Sequence, residues 1–425
     1  MWTKVVLLAA FVSHGALARF YSEDYVEKVR DQGFIRPGRF QEITGEDLES
    51  IDEPTTTTIP ERVNAQDFGM TPGVEASQTS ALHRAMYYLF ERGLEGTVYI
   101  PAGTYSIADG LRFHQGVNLV GDGIGKTVLK KSGTDVYYVV RNPLFRSGTN
   151  LNVIVSNLTL DGDRENRAAQ GLSRVGGILI DSIMSNLTLD TIEVRDVSTA
   201  LILRRLRDSV IRNCIIDKKN GHGITFGSAD HAIGDCRNNL ITGNLITNSN
   251  SGSGINLSRA TYTTVTHNQV INEIRQRDGY GGIRIPNGGA YNIVENNVVE
   301  NYPRGLFILS GAHNNTLSGN TVRNSGVHGV LIQADYNTLT DNIIQQTDNT
   351  SSIESAIRLA PASHNQILRN TIEIKIPNSD KPGIRITGDS NENIVQDNII
   401  ATSGIAVSIE GGTGNLDIGN IHVTN

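Results

Sequence analysis

The sequence predicts an all-β chain wound as a single-stranded right-handed parallel β-helix, with a capping helix at its N-terminal end. Three observations predict it. The frame Asn, four residues, Asn returns throughout the C-terminal two thirds, as in NTLSGN at 315–320 and NTLTDN at 337–342. Between the asparagines, apolar and polar letters alternate with the period of two that marks a strand with one buried face, as in NLITGN and QILRNTIEI. About ten residues further on, a second strand recurs, usually announced by glycine: GGILIDS, HGITFGS, SGINLSR, GGIRIPN, RGLFILS, HGVLIQA, SAIRLAP and PGIRITG.

The frame falls at Asn152/Asn157, Asn239/Asn244, Asn292/Asn297, Asn315/Asn320, Asn337/Asn342, Asn365/Asn370, Asn393/Asn398 and Asn415/Asn420, and in substituted form at Asn186/Thr191, Ser209/Cys214 and Thr263/Asn268. From Cys214 its second member recurs at intervals of 30, 24, 29, 23, 22, 28, 28 and 22 residues, which suits coils of one core and unequal loops. Such units cannot bury an apolar face alone and stack to do so. Asparagines suit the corners because their amides hydrogen-bond to nearby backbone where the chain bends.

Before the coils, MWTKVVLLAAFVSHGALA has the layout of a secretory signal peptide cleaved after Ala18, which directs the chain to the secretory pathway. Residues 19–61, with EITGEDLESIDEPTTTTIPER, are acidic, rich in Thr and Pro and aperiodic; they read as a flexible lead. The solenoid domain then spans 62–425. Within it, SQTSALHRAMYYLFERG has apolar residues at helical spacing, and a helix over 78–92 would cover the open end of the first coil. With 425 residues, 38% hydrophobic and 19% charged, the chain can build a long core. A net charge of −7 excludes a basic nucleic-acid footprint. No apolar run after the leader approaches the ~20 residues of a membrane span.

Cys214 and Cys236 are the only cysteines; a disulfide and two buried thiols are equally open, and no cysteine spacing suits a metal. No cofactor is called for. Asn157, Asn186, Asn256, Asn314 and Asn349 begin glycosylation sequons, which arise readily in an Asn-rich solenoid.

The segment DFGMTPG, the short helix, GTVYIPAGTYSI, NLVGDGIGKTVLKK and LTLDGDREN at 158–166 resemble the pectate-lyase-like β-helix superfamily, including its mannuronan C5-epimerase branch. The resemblance covers about 62–425 and implies the fold; the superfamily contains lyases, epimerases, hydrolases and noncatalytic proteins. The acidic run usual after the DFG-like turn is replaced by TPGVEASQTS, and the epimerase-like Tyr-Gly-Phe-Asp-Pro-His signature is absent. GHGITFGS and the RIP of GGIRIPN look like the GHG and RIK boxes of polygalacturonases, but TALILRRLRDS supplies no paired carboxylates for that hydrolysis.

In each glycine-announced strand the residue after the first inward one points out, which gives a column Leu179, Ile202, Thr225, Asn256, Arg284, Phe307, Leu331, Arg358, Arg385. A flanking column holds His222, Ser253, Gly281, Arg304 and His328, and the insertion NEIRQRDGYGG brings Arg275, Arg277, Asp278 and Tyr280 to the same edge. Removing the proton next to a carboxylate requires cations to neutralise that carboxylate and a base. Arg284 is therefore the candidate neutraliser and Tyr280 or His222 the proton carrier. Asn256, Arg277, Asp278, Arg304, Phe307, His328, Leu331 and Arg358 are candidate substrate-binding residues. The expected substrate is an acidic polysaccharide, processed by a lyase or a C5-epimerase. Plain solvated arginines and corner-bonded histidines account for any one of these residues taken singly. Leu179, Ile202, Phe307, Leu309 and Leu331 also suggest an exposed apolar wall, which fits an isomerase or cyclase acting on a hydrophobic small molecule. A noncatalytic glycan-binding protein is the third reading.

Overall fold

The computed structural model describes residues 62–424 apart from 94, 135–136, 142–148, 173, 229, 276–277, 310, 348–352 and 377–378. The expected signal peptide, the lead segment and Arg277 lie outside the described residues. The described strands form two parallel sheets, one of 28 strands that runs through two faces of the coil and one of 11 strands on the third. The chain is a right-handed parallel β-helix, as its asparagine frame implies. The first strand, Arg62–Asn64, pairs with Gly96–Ile100. Between these strands the helix Thr79–Glu91 buries Ala81, Leu82, Ala85, Met86 and Leu89 on one face and caps the first coils. Among the described residues, no helix is long and apolar enough to cross a membrane.

The asparagines form two ladders, one unbroken from Cys214 to Asn420 and one from Thr263 to Asn415. In one of them Asn320 accepts at Oδ1 from the backbone N–H and Nδ2 of Asn297 (3.0 and 2.9 Å), and donates from Nδ2 to Val294 O (2.8 Å) and to Asn342 Oδ1 (2.9 Å). Asn320 is fully buried, so the alternative to these bonds is an unsatisfied amide. The ladders do not extend to the first frames. Asn152, Asn157, Asn186 and Thr191 have φ of 47°, 56°, 56° and 54°, whereas further along such left-handed residues stand one place before the ladder, at Asn213, His267 and Asn296. The early frames are thus shifted by one residue. Apolar Leu158 and Ile192 fill the position that Cys214 occupies in the next coil, and no ladder is possible there.

The recurring glycine has a steric reason. A Cβ at Gly305 would stand 2.2 Å from Val322 Cγ1 and 2.7 Å from Gly329 O, where the strand turns inward beneath its neighbour. Cys214 and Cys236 are both free and buried, and burial pushes each thiol up to about 12.

Candidate functional site

The shorter sheet sets the outward column. Its register pairs Leu179 with Ile202, Ile202 with Thr225, Thr225 with Asn256, Asn256 with Arg284, Arg284 with Phe307, Phe307 with Leu331, Leu331 with Arg358 and Arg358 with Arg385. The flanking column pairs Gly281 with Arg304 and Arg304 with His328. Adjacent rungs lie about 4.8 Å apart, so side chains two rungs apart on this face can touch one substrate.

At its middle the column carries a cation-aromatic stack. The Arg284 guanidinium lies 5.4 Å from the Tyr280 ring centroid and 5.7 Å from that of Phe307, and Arg304 covers the same Phe307 ring at 5.0 Å. Stacking on aromatic faces orients a guanidinium while leaving its in-plane N–H groups to meet an anion. Among the described residues neither arginine pairs with a carboxylate, and the Nε of each is buried without a partner. Burial holds both guanidinium groups below their ordinary value; Tyr280 opposes this at Arg284, and Glu354 and Asp278 oppose it at Arg304.

Tyr280 is brought in by its loop. Asp278 accepts from Ser251 Oγ (2.9 Å), Gly252 N (2.8 Å) and Tyr280 N (3.0 Å), so both its carboxylate oxygens are engaged in holding the loop down. Tyr280 then meets His222 edge to face, with centroids 5.1 Å apart. His222 Nδ1 accepts the backbone N–H of Ser253 at 2.9 Å. Burial, helped by Arg284, pushes the imidazole down to about 4. At neutral pH the ring is therefore uncharged with its proton on Nε2, which makes His222 a hydrogen-bond donor. Asn256 donates from Nδ2 to Thr225 Oγ1 (3.0 Å), and its Oδ1 is buried without a partner.

Beyond the stack, Arg304, His328, Leu331, Glu354 and Arg358 line a groove of about 500 Å³. His328 is 2% exposed and, pushed down to about 4 mainly by burial, is neutral; its Nδ1 lies 3.3 Å from Ser355 Oγ. Arg358 donates to Glu354 Oε2 at 2.7 Å. Arg385 is doubly bonded to Glu410, and Arg275 turns away to Asn324 O, so neither joins the stack.

The expected apolar wall is only partly open: Leu179, Ile202 and Leu309 are half-buried, but its centre is closed. Phe307 and Leu331 are each 5% exposed, and the heads of Arg284 and Arg304 lie over the Phe307 ring. Two residues escaped the sequence reading. Glu354 stands just outside the SAIRL strand, four residues before the Arg358 it pairs with and 3.7 Å from His328 of the preceding coil. Lys219, in the polar stretch DKKN, is fully buried, donates to Thr247 O (2.9 Å) and is pushed down to about 7 by its burial.

Coil and groove together define a pectate-lyase-like solenoid, and the chain belongs to the rhamnogalacturonase A/epimerase, pectate lyase-like family, whose sequence pattern matches residues 62–284. The pattern of the periplasmic copper-binding protein NosD matches residues 270–418. Among the described residues, no group of three or more His, Cys, Asp or Glu side chains is gathered that could hold a metal. The chain is 28% identical over 291 residues to mannuronan C5-epimerase AlgE5 of Azotobacter vinelandii, a match covering 64% of this chain and 26% of that protein. It thus spans about a quarter of this relative's length. Among solved structures, the A-module of mannuronan C-5 epimerase AlgE4 from the same organism superposes with a TM-score of 0.58 at 18% identity, over 85% of this chain and 99% of that one. An exopolygalacturonase from Thermotoga maritima superposes with a TM-score of 0.51 at 15% identity, over 85% and 91% of the two chains. At these identities the superpositions show the fold alone.

Proposed function

We propose that the chain is an enzyme of the secretory pathway or cell exterior that acts on a uronic-acid polysaccharide by removing the proton next to the carboxylate, as a lyase or C5-epimerase. The carrying observation is the pair Arg284 and Arg304, stacked on Phe307 without a carboxylate partner and within reach of Tyr280. When the C–H bond breaks, its electron pair moves toward the carboxylate, and the two guanidinium groups balance the added charge where it develops. Tyr280, acting as the phenolate after its own proton has left to solvent, takes the proton and becomes the neutral phenol, while His222 Nε2–H donates a hydrogen bond to the substrate. Expelling the neighbouring glycosidic oxygen then leaves a double bond, whereas returning a proton from the opposite face inverts the carbon. The relatives whose names record action on mannuronan support this reading. The burial of Phe307 and Leu331 counts against the small-molecule cyclase.

The test is to incubate the protein with a panel of uronans in deuterated water, following ultraviolet absorbance for the new double bond and NMR for deuterium at the acidic carbon. Absorbance identifies a lyase and deuterium without absorbance an epimerase. Binding with neither signal would leave the noncatalytic reading standing and sink the enzyme.

A further inference from the structure

The corner that follows the shorter sheet carries a column of left-handed residues, one per coil. Strand register sets Tyr262, Tyr291, Asn314, Tyr336 and His364 on successive rungs, each two residues before a paired strand position. Their φ angles are 50°, 57°, 53°, 58° and 56°, a conformation that bulky side chains rarely adopt. The three tyrosines are 59%, 46% and 55% exposed, so burial does not explain their presence there. Their rings stack along the solenoid instead: Tyr262 lies on Tyr291 with centroids 5.2 Å apart, and Tyr336 on His364 at 4.6 Å. Between the two stacks one layer is missing, at the rung of Asn314. Asn314 is exposed and opens the sequon Asn314, Asn315, Thr316. Its Nδ2 lies 2.9 Å from His313 Nδ1, and His313 meets Tyr291 edge-on at 5.6 Å. Beside it His313, Asp335, Tyr336 and Ser363 line a recess of about 580 Å³.

We propose that Asn314 is an N-glycosylation site and that the missing layer receives the first sugar of its glycan, held against Tyr336. The inference rests on the secretory part of the reading above. In the covalent step Asn314 Nδ2 attacks the anomeric carbon of a lipid-pyrophosphate-linked oligosaccharide. The C–N bond forms as the carbon–oxygen bond to the pyrophosphate breaks, and one amide proton is lost. The amide retains one N–H, which keeps the contact with His313 Nδ1. A pyranose presents a face of C–H bonds, which suits the electron-rich face of an aromatic ring. Tyr336 has one such face turned toward the Asn314 rung, because His364 covers the other. The folded surroundings set this sequon apart. Asn256 is 6% exposed and bonded to Thr225. Thr159, the hydroxyl of the Asn157 sequon, is fully buried and donates to Glu193. Asn186 stands in the same column between Asn152 and Asp208, with no aromatic ring on either neighbouring rung. Asn349 lies outside the described residues.

The test is to secrete the full chain from eukaryotic cells, map sugar occupancy by peptide mass spectrometry, and time release of the Asn314 glycan from the native protein by an amidase that cuts the sugar–asparagine bond. The wild type is expected to carry sugar at Asn314 and none at Asn256. Thr316→Ala, which removes the sequon hydroxyl and leaves Asn314 in place, should lose it. Tyr336→Ala should keep the glycan but release it about two- to tenfold faster, the factor that one aromatic contact supplies. An unchanged melting temperature, and equal release once both proteins are unfolded, check that the difference comes from the lost ring. A secreted chain with Asn314 bare overturns the inference and leaves the secretory reading intact. An occupied Asn314 released equally fast from the wild type and Tyr336→Ala overturns the layer held by Tyr336. If the chain stays inside the cell with every sequon bare, the secretory reading falls and this inference with it.

Discussion

A guanidinium is costly to take out of water, and Arg284 is held part-buried with an unpaired Nε between two aromatic rings. Such a cation contributes little to folding and much to holding an anion. Arg284→Ala is therefore expected to lower turnover by about 10²–10³-fold, the usual loss when a charge-stabilising donor is removed, with the melting temperature nearly unchanged. Full activity in that variant would show that the carboxylate is held elsewhere. Tyr280→Phe should keep binding while losing turnover, because it removes the phenol and leaves the ring that supports Arg284. Retained deuterium exchange in Tyr280→Phe would assign the base to another group. The positions of these residues were legible in the sequence, since alternation in the glycine-announced strands fixes which side chains point out. Their partners were not. Whether the Arg284 guanidinium covers Phe307 depends on two coils stacking, and no local pattern records it; Arg358 meets Glu354 only four residues away, but the loop that turns Glu354 outward is not periodic.

At the level of the coil, the amide ladder and the glycine corner set the register. Asn320→Ala removes two donor bonds and leaves Asn297 without its acceptor, which is expected to destabilise by about 1–3 kcal/mol; thermal or denaturant unfolding checks this. Asn152→Ala, whose side chain reaches only the exposed Glu95, should cost far less. Gly305→Val would force a branched side chain onto Val322 and is expected to cost about 1–3 kcal/mol or more through overpacking. The sequence carried the ladder from Ser209 and Cys214 onward, but the same spacing misplaced Asn152/Asn157 and Asn186/Thr191 by one residue. In those coils the apolar residue just after the asparagine takes the buried position, so spacing alone did not separate a ladder amide from a left-handed turn amide.

For the molecule as a whole, buried neutral histidines tie stability to pH. His114 and His328 are 3% and 2% exposed and are each pushed from 6.5 down to about 4, chiefly by burial. Between those values the unfolded chain binds protons that the folded chain refuses, so stability falls as pH is lowered from about 6.5 toward 4, by on the order of 1–3 kcal/mol for each histidine. Melting temperatures measured across this window should decline, and His328→Asn should flatten the decline. A melting temperature independent of pH there would show that both rings are protonated in the folded state as readily as in the unfolded one. The ladder has a mechanical meaning as well. Each buried asparagine grips only the coils beside it, so a solenoid drawn out by its ends should yield one winding at a time. The ladder bonds span 30, 24, 29, 23, 22, 28, 28 and 22 residues. At ~3.4 Å of extended backbone per residue, a pulling experiment should record an uneven staircase of steps of roughly 75–100 Å, in which the lengths of the hidden loops are read out as distances.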